Sequence, residues 1–144
     1  TISVVFDPQA TGALSATLNF NGTPDQTQPS VNLTGTGVLP VTVTPATLAF
    51  GRQAMRTLSP PRIVTVQNNT NLQTNLSFGI GGADPNDFVL GTTTCGTTLA
   101  AQSSCTINVE FDPQTIGARS AMLNLSGTPD QTQPSVSLTG TGTL

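Results

Sequence analysis

The residues that could carry out chemistry in this 144-residue chain are few: two cysteines, seven acidic residues and four arginines, with no His, Lys, Trp or Tyr. Without His, the chain can build neither a Ser-His-Asp or Cys-His nucleophile nor an imidazole metal site. Without Lys it has no Schiff-base amine. Four arginines in a chain of net charge −3 cannot form the basic surface that nucleic acid requires. We therefore expect no enzymatic activity, no catalytic residue, no cofactor and no nucleic-acid partner.

The two cysteines, Cys95 and Cys105, bracket the run CGTTLAAQSSC. A disulfide that clamps a hairpin loop is the favoured interpretation, and two buried free thiols are the alternative. A zinc site is disfavoured, because two cysteines without further Cys or His cannot complete a tetrahedral shell. A disulfide would indicate an oxidising compartment.

Acidic residues are concentrated in one short run, Ala83–Asp87, which holds Asp84 and Asp87. They are weak candidates for calcium ligands, because the run lacks the ligand spacing of an EF-hand loop. A solvated turn is the favoured interpretation, and we expect no metal site. The Asp-Pro steps at Asp7 and Asp112 could also suggest calcium. For them we favour turns in which the Asp accepts backbone hydrogen bonds and the Pro ends the strand.

An internal repeat organises the chain. Residues 1–39 align without gaps on residues 106–144, at an offset of 105, with 29 of 39 positions identical. This predicts a tandem array with a period of about 105 residues. Residues 40–144 would form one complete repeat, and residues 1–39 the C-terminal strands of a preceding repeat, or strands that are donated or swapped between chains. About three strands cannot bury a core alone, so an upstream repeat or another chain must complete them.

The differences between the two copies are informative as well. The substitutions Val5/Glu110 and Leu14/Arg119 fall where we expect side chains to face solvent. The apolar positions that stay unchanged are predicted to point inward; they are Ile2/Ile107, Val4/Val109, Phe6/Phe111, Leu18/Leu123 and Leu33/Leu138.

Apolar residues alternate with polar ones throughout the repeat, as at Ile107, Val109 and Phe111. Turn signals follow every 8 to 15 residues or so, which is typical of an all-β sandwich. The run GTPDQTQP occurs twice, at 22–29 and 127–134, between predicted strands. It is either a hairpin loop or a recurrent contact surface between repeats. The candidate contact residues are Pro24, Asp25, Gln26, Pro129, Asp130 and Gln131.

Several of these motifs occur together in one known family. The Cys95/Cys105 pair, the Phe111-Asp112-Pro113 step, the Gly117 turn and the L-x-G-x-G run from Leu138 to Gly142 resemble the repeats called choice-of-anchor D in bacterial surface proteins. Those repeats are related to the ASPM/SPD-2/Hydin (ASH) domains. The resemblance implies an immunoglobulin-like, antiparallel, seven-strand sandwich that is exported and often arranged in tandem.

Together, these features predict a secreted bacterial structural module of a cell-surface or extracellular filament or stalk, which acts by assembly with neighbouring repeats or copies of itself. One alternative is an adhesin that binds a surface glycan or protein through its loops. Its weakness is that no Trp or Tyr offers a stacking platform for sugar. The other alternative is an intracellular ASH-type scaffold, which a disulfide would disfavour. No stretch approaches the roughly 20 apolar residues of a membrane span, so we expect no membrane insertion.

Overall fold

The computed structural model describes residues 1–22, 28–128 and 133–144, and the chain divides into two compact units, residues 1–39 and 40–144. The secondary structure of the described residues is almost entirely β, as predicted, with one short 3-10 helix at Pro85–Asp87. The strands are β1 (Gly12–Asn19), β2 (Ser30–Gly37), β3 (Val41–Thr44), β4 (Thr47–Ala54), β5 (Arg62–Asn68), β6 (Thr74–Asn75), β7 (Ser77–Gly81), β8 (Phe88–Thr93), β9 (Thr98–Leu99), β10 (Ser104–Phe111), β11 (Gly117–Ser126) and β12 (Ser135–Thr143).

The second unit is a sandwich of two four-stranded sheets. One sheet has the strand order β3-β5-β10-β8 and the other has the order β4-β12-β11-β7, while β6 and β9 form a separate two-stranded ladder. Every strand pairing in the described part of this unit is antiparallel except that of β4 with β12, which is parallel. The predicted immunoglobulin-like antiparallel sandwich is confirmed, and the parallel pair at its edge is an addition that the sequence did not reveal.

The first two strands of the second unit, β3 and β4, pair in different sheets. Strand β3 pairs with β5 in one sheet, and β4 then pairs with β12 in the other. Pro45 lies between the two strands and is preceded by a cis peptide bond. Because proline has no N–H to give to a ladder, the first pairing ends there and the next begins two residues later.

The core lies between the two sheets and follows the predicted alternation. In β10, Cys105, Ile107, Val109 and Phe111 are buried, while the residues between them are partly exposed. The facing sheet buries Ala121, Leu123, Leu125, Val136 and Leu138. The inward orientation predicted for Ile107, Val109, Phe111, Leu123 and Leu138 is confirmed. Each such side chain contributes roughly 1.5–3 kcal/mol by leaving water, so this core is the main source of stability.

An aromatic cluster closes one end of the core. The ring of Phe111 lies 4.9 Å from that of Phe88 and 5.8 Å from that of Phe50, measured between centroids. The Arg62 guanidinium lies over the ring of Phe50, 5.6 Å from its centroid. These distances are in the range where tilted aromatic pairs and cation–π contacts add to simple area burial.

The first unit is a single hairpin of β1 and β2, in antiparallel register from Gly12 opposite Gly37 to Asn19 opposite Ser30. Residues 1–6 form no strand, so the third strand predicted for this unit is wrong. The reason is pairing: the matching residues 106–111 belong to β10, which lies between β5 and β8, and residues 1–39 carry no sequence counterpart of those two strands.

The inward positions predicted for the first unit are likewise not buried in this chain. The side chains of Ile2, Val4 and Phe6 are 60%, 53% and 52% exposed, and Leu18 and Leu33 are only half-buried. In the second unit the matching residues are fully buried by the opposing sheet, for which residues 1–39 have no counterpart. The first unit therefore presents half of a sandwich core.

Candidate functional site

The disulfide predicted between Cys95 and Cys105 is present, with an S–S distance of 2.00 Å and a Cα–Cα distance of 5.0 Å. Cys105 lies in β10 and is buried, whereas Cys95 follows the end of β8. Two hydrogen bonds continue the pairing of β8 with β10 up to the bridge. The Thr94 N–H donates to the Thr106 carbonyl (2.9 Å), and the Thr106 N–H donates to the side-chain Oγ1 of Thr94 (2.8 Å). The bridge thus closes the loop between two paired strands.

The second feature is an ion-pair cluster at the turn between β7 and β8. Arg119, on β11, places its Nη1 3.0 Å from Asp84 Oδ1 and its Nε 3.4 Å from Asp87 Oδ2. The side chains of Arg119, Asp84 and Asp87 are 22%, 25% and 7% exposed. We call these three residues the Asp-Arg-Asp cluster. Ala83 and Asn86 in this turn are exposed, as predicted, but Asp87 is buried and both carboxylates lie against Arg119. The prediction that Arg119 faces solvent is wrong.

Backbone groups join the same turn to the second part of the domain. Asp84 Oδ2 accepts the Ser120 N–H at 2.9 Å, and Asp87 Oδ1 accepts the Gln114 N–H at 3.0 Å. The Asp84 N–H donates to the Ser120 carbonyl at 2.8 Å, and the Asp112 N–H donates to the Asp87 carbonyl at 2.9 Å. The turn at 84–87 is therefore bonded to residues 106–144 through both main chain and side chains.

The Asp84 carboxylate is held in its ionised form by these contacts. The hydrogen bond from the Ser120 backbone N–H lowers the pKa of Asp84 below its ordinary value of 3.8, and the hydrogen bond and positive charge of Arg119 act in the same direction. Desolvation opposes them by favouring the neutral acid. The net direction is downward, so the cluster contains an ionised Asp84 at neutral pH.

This arrangement does not suit calcium. Arg119 places a guanidinium between the two carboxylates that the sequence suggested as weak ligands, and a cation would have to displace it. Within the ranges that the structure describes, no group of three His, Cys, Asp or Glu side chains is gathered for a metal. The Asp-Arg-Asp cluster is a structural joint between two segments of the domain.

The Asp-Pro step at Asp112 behaves differently from its prediction. Asp112 Oδ1 is buried and has no hydrogen-bond partner among the described residues. The carboxylate that accepts a backbone hydrogen bond near this step is that of Asp87, from the Gln114 N–H. Strand β10 ends at Phe111, just before this step, as predicted, while Asp112 Oδ1 does not accept the backbone hydrogen bond expected there.

A further concave surface lies in the first unit. A cavity of about 530 Å³ is lined by residues of the extended N-terminal segment and of the hairpin, chiefly Val4, Phe6, Leu14, Ala16 and Leu33. Four of these five match residues that are buried in the second unit, namely Val109, Phe111, Ala121 and Leu138. The cavity lies where the second unit has its core.

Several predicted features cannot be placed. The candidate contact residues Pro24, Asp25, Gln26, Pro129, Asp130 and Gln131 lie outside the described residues.

In the part of the chain that is described, none of the helical structure is long and apolar enough for a membrane crossing.

Comparison with known proteins gives a fold and no sequence relative. No protein-family model and no curated protein matches this sequence. Among solved structures, the ASH/PapD-like domain 7 of human CEP192 is similar, with a TM-score of 0.56 and 13% identity, over 73% of this chain and 86% of that one. The resemblance to ASH domains is thereby confirmed at the level of fold.

Two enzymes contain similar domains. The VesB protease of Vibrio cholerae matches with a TM-score of 0.52 and 17% identity, over 71% of this chain and 32% of its own. A family 123 glycoside hydrolase from Clostridium perfringens matches with a TM-score of 0.56 and 5% identity, over 74% of this chain and 27% of its own. The chain spans a third or less of either enzyme, so the shared feature is a sandwich domain within a larger protein. These neighbours show an immunoglobulin-like, PapD-like fold.

Proposed function

We propose that this chain is a structural module of an exported bacterial surface or filament protein, built from choice-of-anchor-D-type tandem repeats, and that it acts by assembly and not by catalysis. The observation that carries the proposal is the path of the chain through residues 40–144. The chain enters this unit at one end and leaves it at the opposite end.

The hydrogen bonds define the two ends. At the entry end, the Pro40 carbonyl accepts the Asn69 N–H at 2.8 Å. At the exit end, Thr143 lies opposite Ala54 in the parallel pair and its carbonyl accepts the Met55 N–H at 2.9 Å. From Val41 to Ala54 the chain runs in the same direction as β12, which alone spans roughly 30 Å at about 3.3 Å per residue. Leu144 and Pro40 therefore lie at opposite ends of the strands.

A module with its ends at opposite poles can be joined to further copies without a return connection. The near-identity of residues 1–39 and 106–144 supports the view that the chain repeats in this manner, because the same strands precede Pro40 and end the unit. The partners of the module would then be neighbouring repeats or other copies of the chain.

The disulfide supports export, since such bridges persist in oxidising compartments. The intracellular alternative, an ASH-type scaffold, is favoured by fold similarity to the CEP192 domain alone. The adhesin alternative has no observation in its favour within the described residues. Intact mass before and after reduction and alkylation tests export: two thiols that alkylate in unreduced native protein would contradict it.

Electron microscopy of purified material tests the assembly itself. We expect rods or fibres with an axial repeat of one or two domains, each roughly 45 Å long for the 14 residues from Val41 to Ala54. Monodisperse compact monomers at all concentrations would contradict the proposal. A specific hit on a glycan array would instead promote the adhesin alternative.

A further inference from the structure

Two segments of this chain are built to fill the same space. Residues 106–144 supply half of the core of the second unit, including Ile107, Val109 and Phe111, each with 0% exposure. Residues 1–39 carry the same residues at the matching inward positions and leave them exposed. The one apolar core residue of 106–144 that differs is Leu125, with Phe20 as its counterpart. At every other apolar core position, either segment would complete residues 40–105.

The polar contacts of residues 106–144 differ from those open to 1–39 at Asn108 and Ser126, where exposed hydrogen bonds to Thr92 and Ser77 meet Ser3 and Asn21 instead, and at one charged position. The turn at 84–87 is bonded to the backbone of Asp112, Gln114 and Ser120. These have identical counterparts in residues 1–39, namely Asp7, Gln9 and Ser15. The exception is Arg119, whose counterpart is Leu14, and residues 1–39 contain no Lys or Arg.

The loss of that one cation would be costly. With Leu14 in the place of Arg119, the Asp87 side chain, 7% exposed in the present structure, would face Asp84 with no positive charge between them. A buried carboxylate stripped of its partner is strongly unfavourable, and two neighbouring carboxylates repel each other. Because part of the cluster is exposed to solvent, this cost is reduced. We expect residues 40–105 to prefer 106–144 over 1–39 by about ten- to a hundredfold.

We propose that the Asp-Arg-Asp cluster determines which segment completes the domain: it admits 106–144 and rejects the nearly identical 1–39. The face of residues 1–39 then docks a segment of the 40–105 type that carries no acidic pair at the positions of Asp84 and Asp87. This inference rests on the proposed function, in which residues 1–39 are the completing strands of a similar domain.

Covalent geometry adds a constraint that makes the inference testable. Leu144 ends the domain at the pole opposite Pro40, whereas Leu39, its counterpart, is bonded directly to Pro40. Residues 1–39 therefore cannot replace 106–144 within their own chain. Any such replacement must join two chains, and it would be detected as a dimer or a longer oligomer.

Cysteine cross-linking in the full chain measures which segment pairs with β5. Asn108 lies opposite Ile63 in the β5–β10 pair, and Ser3 is the counterpart of Asn108. In the Ser3→Cys, Asn108→Cys, Ile63→Cys chain, the cysteine at 63 is oxidised either to its own position 108 or to position 3 of another chain, which gives a dimer. Because a free cysteine at 3 can also cross-link to another chain, the dimers counted are those whose 3–63 linkage is identified by peptide mass mapping. The protein is unfolded in acid without reductant, refolded at high concentration and oxidised with copper phenanthroline.

Four forms of this triple-cysteine chain are compared: one with Arg119 and Leu14 unchanged, one with Arg119→Leu, one with Leu14→Arg, and one with both substitutions. We expect the covalent dimer fraction to rise at least fivefold in the doubly substituted chain over Arg119→Leu alone, and to stay lowest where Arg119 is kept and Leu14 is unchanged. Equal dimer fractions in Arg119→Leu with either residue at 14 would overturn the role of the cluster while leaving residues 1–39 as a completing segment. No dimer in any form would overturn the inference together with that assignment.

Discussion

The ring of Phe111 lies directly against the backbone of Gly140: a Cβ built on this glycine would be 2.5 Å from Cε1 of the ring. The first unit repeats the relationship, since a Cβ on Gly35 would be 2.6 Å from Cζ of Phe6. The L-x-G-x-G run is therefore a packing motif, in which the first glycine leaves room for the phenylalanine of the F-x-P step.

We expect Gly140→Ala to destabilise the second unit by about 1–3 kcal/mol, because the new methyl group overpacks a buried aromatic ring that is fixed between Phe50 and Phe88. Thermal unfolding followed by circular dichroism measures the effect. Gly79→Ala is the matched control, since that glycine is also in a strand but a Cβ there meets nothing within 4 Å. Equal melting temperatures for the two variants would contradict the packing role.

The disulfide gives a second prediction. Cys95 and Cys105 are 10 residues apart, and closing a loop of this length stabilises a fold by roughly 2–3 kcal/mol in the chain-entropy model. We expect the double variant Cys95→Ala, Cys105→Ala to lose about that amount in urea unfolding. A reducing agent should lower the stability of the wild-type protein to the level of the variant and leave the variant unchanged. If the reductant lowered both equally, the bridge would not be the cause.

The strands and the core of the second unit could be predicted because they depend on local alternation. Residues such as Val109 and Phe111 lie at every second position, and a pleated strand places these on one face. Two features could not be predicted: the change from one sheet to the other between β3 and β4 at Pro45, and the parallel pairing of β4. Both depend on contacts between β4 and β12, which are some 90 residues apart in the sequence.

The Asp-Arg-Asp cluster was missed for a related reason. Arg119 is 35 residues from Asp84, and its position in the alternation of β11 indicated only a side chain outside the core. One signal was present: Arg119 is the one position where the second copy of the repeat gains a cation over the first. A non-conservative change in an otherwise preserved segment marks a contact that differs between the copies.

Asn68 is another residue whose role the sequence concealed. Its side chain has 0% exposure and connects three segments. Its Nδ2 donates to the carbonyls of Leu72, Leu99 and Ala100, at 2.8, 3.1 and 3.0 Å, and its Oδ1 accepts the Thr70 N–H at 2.9 Å. The amide replaces the missing backbone partners of two loops.

We therefore expect Asn68→Ala to destabilise the protein by about 2–4 kcal/mol, because it removes one buried and two partly buried hydrogen bonds to carbonyls and one from the Thr70 N–H. Urea unfolding gives the value. Asn86→Ala, at an exposed asparagine in the same unit, is the control and should remain within about 0.5 kcal/mol of the wild type. A loss below about 1 kcal/mol for Asn68→Ala would show that water replaces these hydrogen bonds.

The final prediction concerns acid. Because the folded protein lowers the pKa of Asp84 below 3.8, the unfolded chain takes up this proton at a higher pH than the folded chain does. The stability contributed by the Asp84 carboxylate is therefore complete above pH 3.8 and is lost as the pH falls through the lowered pKa of the folded state.

Melting temperatures measured from pH 5 down to pH 2 should fall more steeply for the wild type than for Asp84→Asn, which cannot titrate. Arg119→Leu should fall between the two, because it removes a smaller cause of the shift and keeps the Ser120 hydrogen bond. Parallel curves for wild type and Asp84→Asn would show that the carboxylate does not couple to folding, and the ion pair with Arg119 would then not stabilise the joint.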